Sequence, residues 1–228
     1  MMSHSLNRAA TRFALMIVVL GPLFSVSLTE AGTSPPQNPL HQEISGYKNG
    51  ESGFFRALQE VSYKYRVPLG IETDAQGQTA AHISINVSQG TVADIFNVLI
   101  QQAPNYKWVE SSGVVNVMPL QDADSVLNLK IPRFYVSHAT PDDLHIAIRS
   151  LPEVETWLNQ RQLVERGFMT SSIIIGSNGE TDQPRVSLRL KSMTLREIMN
   201  TVVKKPGFLA WFVGRYGDHS QYLNISID

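Results

Sequence analysis

A pattern that runs from Ile83 to Val109 returns between Val186 and Phe212, and this repeat constrains the chain more than any other feature. ISINVSQGTVADIFNVLIQQAPNYKWV aligns without a gap on VSLRLKSMTLREIMNTVVKKPGFLAWF. Thr91 falls on Thr194 and Trp108 on Trp211, each pair 103 residues apart. A period this long means a duplicated domain, because solenoid repeats recur every 20–50 residues or so.

Each copy has a physical reading. Ile83, Ile85 and Val87 alternate with Ser84 and Asn86, and Val186, Leu188 and Leu190 alternate with Ser187 and Arg189. Period two with one apolar face predicts a half-buried strand. Thr91 then precedes Asp94 by three residues, and Thr194 precedes Glu197 by three. That spacing lets the hydroxyl accept an orphan N–H while the carboxylate reaches back to the cap. Val92, Ile95, Phe96, Leu99 and Leu195, Ile198, Met199, Val202 form apolar helix faces, closed by Pro104 and by Pro206-Gly207. A strand holding Trp108 or Trp211 follows, then a last strand at Val114 to Met118 or Tyr222 to Ile227. The second hairpin is five residues longer, around Gly214 to Ser220, since Val115 aligns with Leu223 only at an offset of 108 instead of 103.

The flanking chain extends both copies. His41 to Tyr47 reads as a short edge strand and Asn49-Gly50 as a turn. Phe54, Phe55, Leu58, Val61, Ser62 and Tyr65 fit a helix face ending at Pro68, with a strand through Val67, Leu69 and Ile71. Val126 to Val136 is strand-like. Thr140, Pro141 and Asp143 start a short helix, and a second helix is expected from Glu153 to Arg166. At the offset of 103 that helix falls on Phe54 to Tyr65, and Ser171 to Ile175 falls on the strand near Leu69. The expected fold is α+β: two related small modules, each a mixed or antiparallel sheet covered by two helices. The expected boundaries are a signal peptide over 1–31, a linker over 32–50, one module over 51–120, and a second over 121–228 with an extra strand and helix at its start.

Composition narrows the function classes. The formal net charge of −1 offers no basic surplus for nucleic acid. With no cysteine, disulfides, thiolate metal sites and a Cys nucleophile are excluded. Arg8 and Arg12 precede a mostly apolar run from Phe13 to Leu28 that Gly21-Pro22 interrupts. The run is shorter than the roughly 20 residues that span a bilayer. Thr29-Glu30-Ala31 gives a small-x-small cleavage site, and Ser25-Val26-Ser27 an earlier one. These features predict an exported, periplasmic or secreted chain; the alternative is an inner-membrane anchor over 13–28. Cleavage after Ala31 removes Arg8, Arg12 and Glu30, taking the net charge from −1 to −2.

The strand, the T-[VL]-x-[DE]-[IL] helix start at Thr91 and Thr194, the Trp-containing strand and the closing V-x-V strand resemble the secretin and TonB N-terminus short domain, in two tandem copies. The preceding helix and strand from Phe54 to Glu72 fit the same order. The resemblance implies a periplasmic protein-interaction module of the kind that precedes an outer-membrane pore or barrel. No barrel or secretin domain follows Asp228, so the expectation is a stand-alone adaptor.

Chemistry-bearing residues are sparse. His138 and His145 flank Asp142 and Asp143, but His138 precedes the Thr140 cap and cannot stack on the helix with His145. The acids in the first turn suit the helix dipole. No HExxH, P-loop or GxSxG occurs, Ser171-Ser172 has no placed base, and Glu60 and Glu72 lie on different elements. No catalytic residue, cofactor or metal is expected. Trp108 and Trp211 are read as core closures before binding platforms. The longer hairpin supplies candidate partner-binding residues Arg215, Tyr216 and His219, beside a sheet edge that can accept a strand. The expected function is a non-enzymatic adaptor in an envelope secretion or transport system. Its expected partner is a secretin, TonB-linked or pilus-type protein, or a second copy, with no nucleic acid. The alternative is a membrane-anchored sensor that binds a peptide or small ligand.

Overall fold

The computed structural model describes residues 38–73, 83–121, 124–165, 183–216 and 222–228. The expected signal peptide, the strand at Ser171 to Ile175 and His219 lie outside the described residues. The chain is α+β. In order it forms β1 (Glu43–Ile44), β2 (Tyr47–Ser52), α1 (Phe54–Tyr65), β3 (Leu69–Glu72), β4 (Ile83–Val87), β5 (Gly90–Thr91), α2 (Val92–Gln102), β6 (Tyr106–Ser111) and β7 (Val114–Pro119). A 3₁₀ turn over Val126–Asn128 leads into β8 (Lys130–Ala139), α3 (Pro141–Arg149), α4 (Pro152–Gln160), β9 (Val164–Glu165), β10 (Val186–Thr194), α5 (Leu195–Val202), β11 (Ala210–Tyr216) and β12 (Tyr222–Ile227).

The repeat is built as its pattern predicts. Val92, Ile95, Phe96 and Leu99 of α2 are fully buried, as are Leu195, Ile198, Met199 and Val202 of α5. Burying each such side chain favours folding by roughly 1.5–3 kcal/mol relative to exposure. Three capping boxes start α2, α3 and α5. In them the backbone N–H of Thr91, Thr140 and Thr194 donates to Asp94, Asp143 and Glu197 at 2.7, 3.0 and 2.6 Å.

The sheets reveal what the repeat alone does not. Six strands run in the order β6-β7-β3-β11-β12-β9. Within the first copy β3 pairs parallel with β7, and within the second β9 pairs parallel with β12, so the two halves match. They are joined because β3 also pairs parallel with β11, from Leu69↔Ala210 to Glu72↔Val213. Leu69, Gly70, Ile71 and Glu72 are all buried, as in a parallel strand covered on both faces. Each half adds a two-stranded antiparallel ribbon, β2 with β4 and β8 with β10. Two apolar clusters flank the join, and each includes a strand residue of the other half, Val114 in one and Ala210 in the other.

Three local expectations are corrected. Asn49 and Gly50 lie inside β2, where Asn49 pairs with Ile85 and its Nδ2 donates to Glu60 at 2.8 Å. Val126 begins a 3₁₀ turn, because Ser125 Oγ accepts the N–H of Leu127 at 3.1 Å, and the strand starts only at Lys130. The helix expected to reach Arg166 stops at Gln160, and Gln162 takes a left-handed φ of 53° before β9.

Candidate functional site

The hairpin singled out in the sequence is built into the sheet. β11 is paired with β12 along its length and with β3 from Ala210 to Val213, so among the described residues Gly214, Arg215 and Tyr216 have a strand on one side alone. β12 is covered by β9 at Tyr222 and Leu223. Arg215 is half-buried and already engaged. Its guanidinium lies 5.0 Å from the Trp157 ring centre, and Nη2 donates to the Asp124 carbonyl at 3.3 Å. Arg161 lies 4.5 Å from the same ring and donates to both Asp124 carboxylate oxygens, Nε to Oδ2 at 2.7 Å. The bonds from Arg161 hold the Asp124 carboxyl below its ordinary range. Two guanidiniums on one indole form a cation–π cluster. It ties the hairpin base to α4 and borders a groove of about 650 Å³ lined by Asn128, Trp157 and Arg161 among others. Tyr216 pairs with Tyr222 through the backbone. The structure thus brings Arg215 to Trp157 and leaves Tyr216 further along the strand.

Open backbone is also found on β6. Among the described residues β6 ends the six-stranded sheet, with β7 alone beside it. Ser112 and Gly113 have φ of 54° and 79°, the left-handed pair that a two-residue type I′ hairpin needs. Leu120 N–H donates to Asn105 O at 2.8 Å, so pairing toward β7 falls on residues 105, 107, 109 and 111. The main-chain groups of Tyr106, Trp108 and Glu110 therefore face outward. The Tyr106 N–H is used by Ala103 O at 2.9 Å, which leaves Trp108 and Glu110 as the open positions. Val109 is 47% exposed, while the Trp108 indole packs 6.0 Å from Phe96. Lys107 and Glu110 put charge on this edge, as natural edge strands do to limit uncontrolled pairing.

A second surface was missed in the sequence. β8 and β10 pair only with each other among the described residues, and neither strand contains Asp or Glu. Arg133 stands opposite Lys191, and Tyr135 opposite Arg189. The two strands lie some 50 residues apart, so only the pairing assembles the patch. The absence of acid from both strands was the available signal.

The remaining candidates are structural. His145 Nε2 lies 2.5 Å from Glu165 Oε1, and the Arg149 Nε charge lies 3.1 Å from Glu165 Oε2, which accepts no hydrogen bond among the described residues. Glu72 accepts from Ser125 and from Arg196, whereas Glu60 accepts from Asn49 and Arg56, so the two acids share no site. Among the described residues no group of three His, Cys, Asp or Glu converges as a metal site, and no helix is long and apolar enough to cross a membrane. No family model, curated protein or solved structure matches the chain, so the resemblance to the short domain rests on the residue pattern.

Proposed function

We propose that the chain is an exported protein-interaction adaptor, built from two modules of the secretin/TonB short-domain type, that docks partners of an envelope secretion or transport system by strand addition. The open outer edge of β6 carries this reading. There the Trp108 and Glu110 main-chain groups face away from the sheet. Such an edge gives affinity through backbone bonds, and the side chains around it select the partner. Tandem modules joined through β3 and β11 hold the edge on a rigid base.

Glu110→Pro tests this, with Glu110→Ala as the control that loses the bond from Asn38 Nδ2 to Glu110 Oε1 at 3.2 Å but keeps the N–H. Proline is tolerated on an edge strand where its missing N–H faces solvent, so this change removes an outward donor and spares the β7 ladder. The tagged full-length chain would be isolated from the envelope fraction after crosslinking, and crosslinked peptides would be mapped by mass spectrometry. Crosslinks from a secretin, TonB-linked or pilus-type protein to residues 106–111, lost in Glu110→Pro while the melting curve stays unchanged, are the expected result. The same crosslinks at undiminished yield in Glu110→Pro would exclude strand addition at β6. Recovery of the chain only in the cytoplasmic fraction would exclude export.

A further inference from the structure

The β8–β10 ribbon carries an unbalanced charge that the fold itself does not need. Arg133, Arg189 and Lys191 are exposed, and Tyr135 at 70% is the most exposed large hydrophobic side chain among the described residues. Cross-strand partners share a face, so Arg133 with Lys191 and Tyr135 with Arg189 form a two-by-two block. Lys191 directly opposite Arg133 is a like-charge pair, which destabilises a ribbon. None of the ion pairs among the described residues involves these three cations. The opposite face, with Phe134, Val136 and Leu188, is buried in the core, so the ribbon's orientation is fixed. The block borders an open hollow of about 560 Å³ lined with Phe134 and Leu190.

We propose that this face docks an extended acidic segment of a partner protein. Arg189 and Lys191 are two residues apart, which sets their side chains roughly 7 Å apart along the strand. Alternate side chains of an extended peptide have the same spacing, so carboxylates at every second position meet the cations in register. Tyr135 adds a flat contact with a polar tip, of the kind protein interfaces favour. An anionic membrane fits less well, since lipid-binding clusters gather about four to eight cations and this block has three. A nucleic acid fits less well too, for the chain has a pI near 6.6 whereas nucleic-acid domains lie above about 9. The inference uses other strands than β6 and stands whether or not β6 accepts a strand.

The test uses the purified full-length chain and a fluorescent alternating Glu-Thr peptide of about ten residues, the length of β8. Gln-Thr peptide, phosphatidylglycerol vesicles and oligothymidine serve as comparisons. The acidic peptide binds, and added salt weakens it. Lys191→Gln weakens binding by about tenfold while leaving the melting temperature unchanged or higher, because it removes the like-charge pair. That opposition between binding and stability is not what a structural lysine would give. Unchanged peptide affinity in Lys191→Gln would overturn the proposal. So would equal binding of the Gln-Thr peptide, or tighter binding to the vesicles or the oligonucleotide.

Discussion

The indole Nε1 of Trp211 donates to Oδ1 of Asn200 at 2.8 Å. The bond recurs in the first copy, where Trp108 donates to Asn97 at 3.0 Å, each residue 103 positions earlier. Both bonds fasten the Trp strand to the capped helix, but their settings differ. Trp211 is 1% exposed and Asn200 is buried, whereas Trp108 is half-buried. Asn200→Ala strands an indole N–H in the core and should cost about 1–3 kcal/mol. Asn97→Ala lets water take over the bond and should cost less than about 1 kcal/mol. Urea unfolding of the two variants measures this, and equal losses would contradict the assigned burial.

Trp211 also explains a glycine. In the parallel pairing of β3 and β11 it stands opposite Gly70, and a Cβ on Gly70 would come within 2.1 Å of the indole ring. Gly70→Ala should therefore destabilise by about 1–3 kcal/mol through overpacking, although an extended backbone there suits alanine. Trp211→Phe should recover part of that loss in the double variant, because the two sites touch. Additive costs in the double-mutant cycle would mean that the ring is free to move aside.

Much of each half was legible because its signals are local. Thr91, Thr194 and Thr140 announce helices through a carboxylate three residues on, and Ile83 to Val87 shows its strand by alternation. The join between halves left a weaker trace. Val67 to Glu72 was read as alternating, yet Gly70 and Glu72 are buried as Leu69 and Ile71 are, because Trp211 packs over Gly70 while Ser125 and Arg196 cover Glu72. A pairing between residues some 140 positions apart follows from packing, not from any local rule. For the same reason the base of the hairpin strand, from Ala210 to Val213, proves to be interior, while Arg215 is paired on the β12 side alone among the described residues. Asn49-Gly50 shows the converse, a turn dipeptide overridden by pairing of β2 with β4.

The join is pinned by a buried ion pair. Arg196 Nη2 donates to Glu72 Oε2 at 2.6 Å, and Ser125 Oγ donates to the other carboxylate oxygen. Their side chains are 17% and 5% exposed, so neither charge is well solvated if left alone. Arg196→Met should cost about 3–5 kcal/mol by stranding the Glu72 carboxylate. Glu72→Gln with Arg196→Met should recover most of it, since the amide still accepts from Ser125 and no charge is buried. Guanidinium unfolding separates these outcomes; a double variant no more stable than Arg196→Met would show that the arginine acts through packing, against the Trp211 ring 5.9 Å from its guanidinium.

Acid should loosen the three capped helices together. Backbone N–H bonds from Thr91, Thr140 and Thr194 hold the carboxyls of Asp94, Asp143 and Glu197 below their ordinary values. A carboxyl with a depressed folded pKa contributes stability above its unfolded value, near 4, and loses it as pH falls through the lower folded value. The triple variant Asp94→Asn, Asp143→Asn, Glu197→Gln keeps the side-chain oxygens and removes the ionisation. It should melt below the native chain at about pH 7, and the gap should close as the pH falls below about 4. Melting temperatures of both chains across that range read the effect. A gap that stayed constant down to about pH 2 would assign the loss to cap geometry and not to charge.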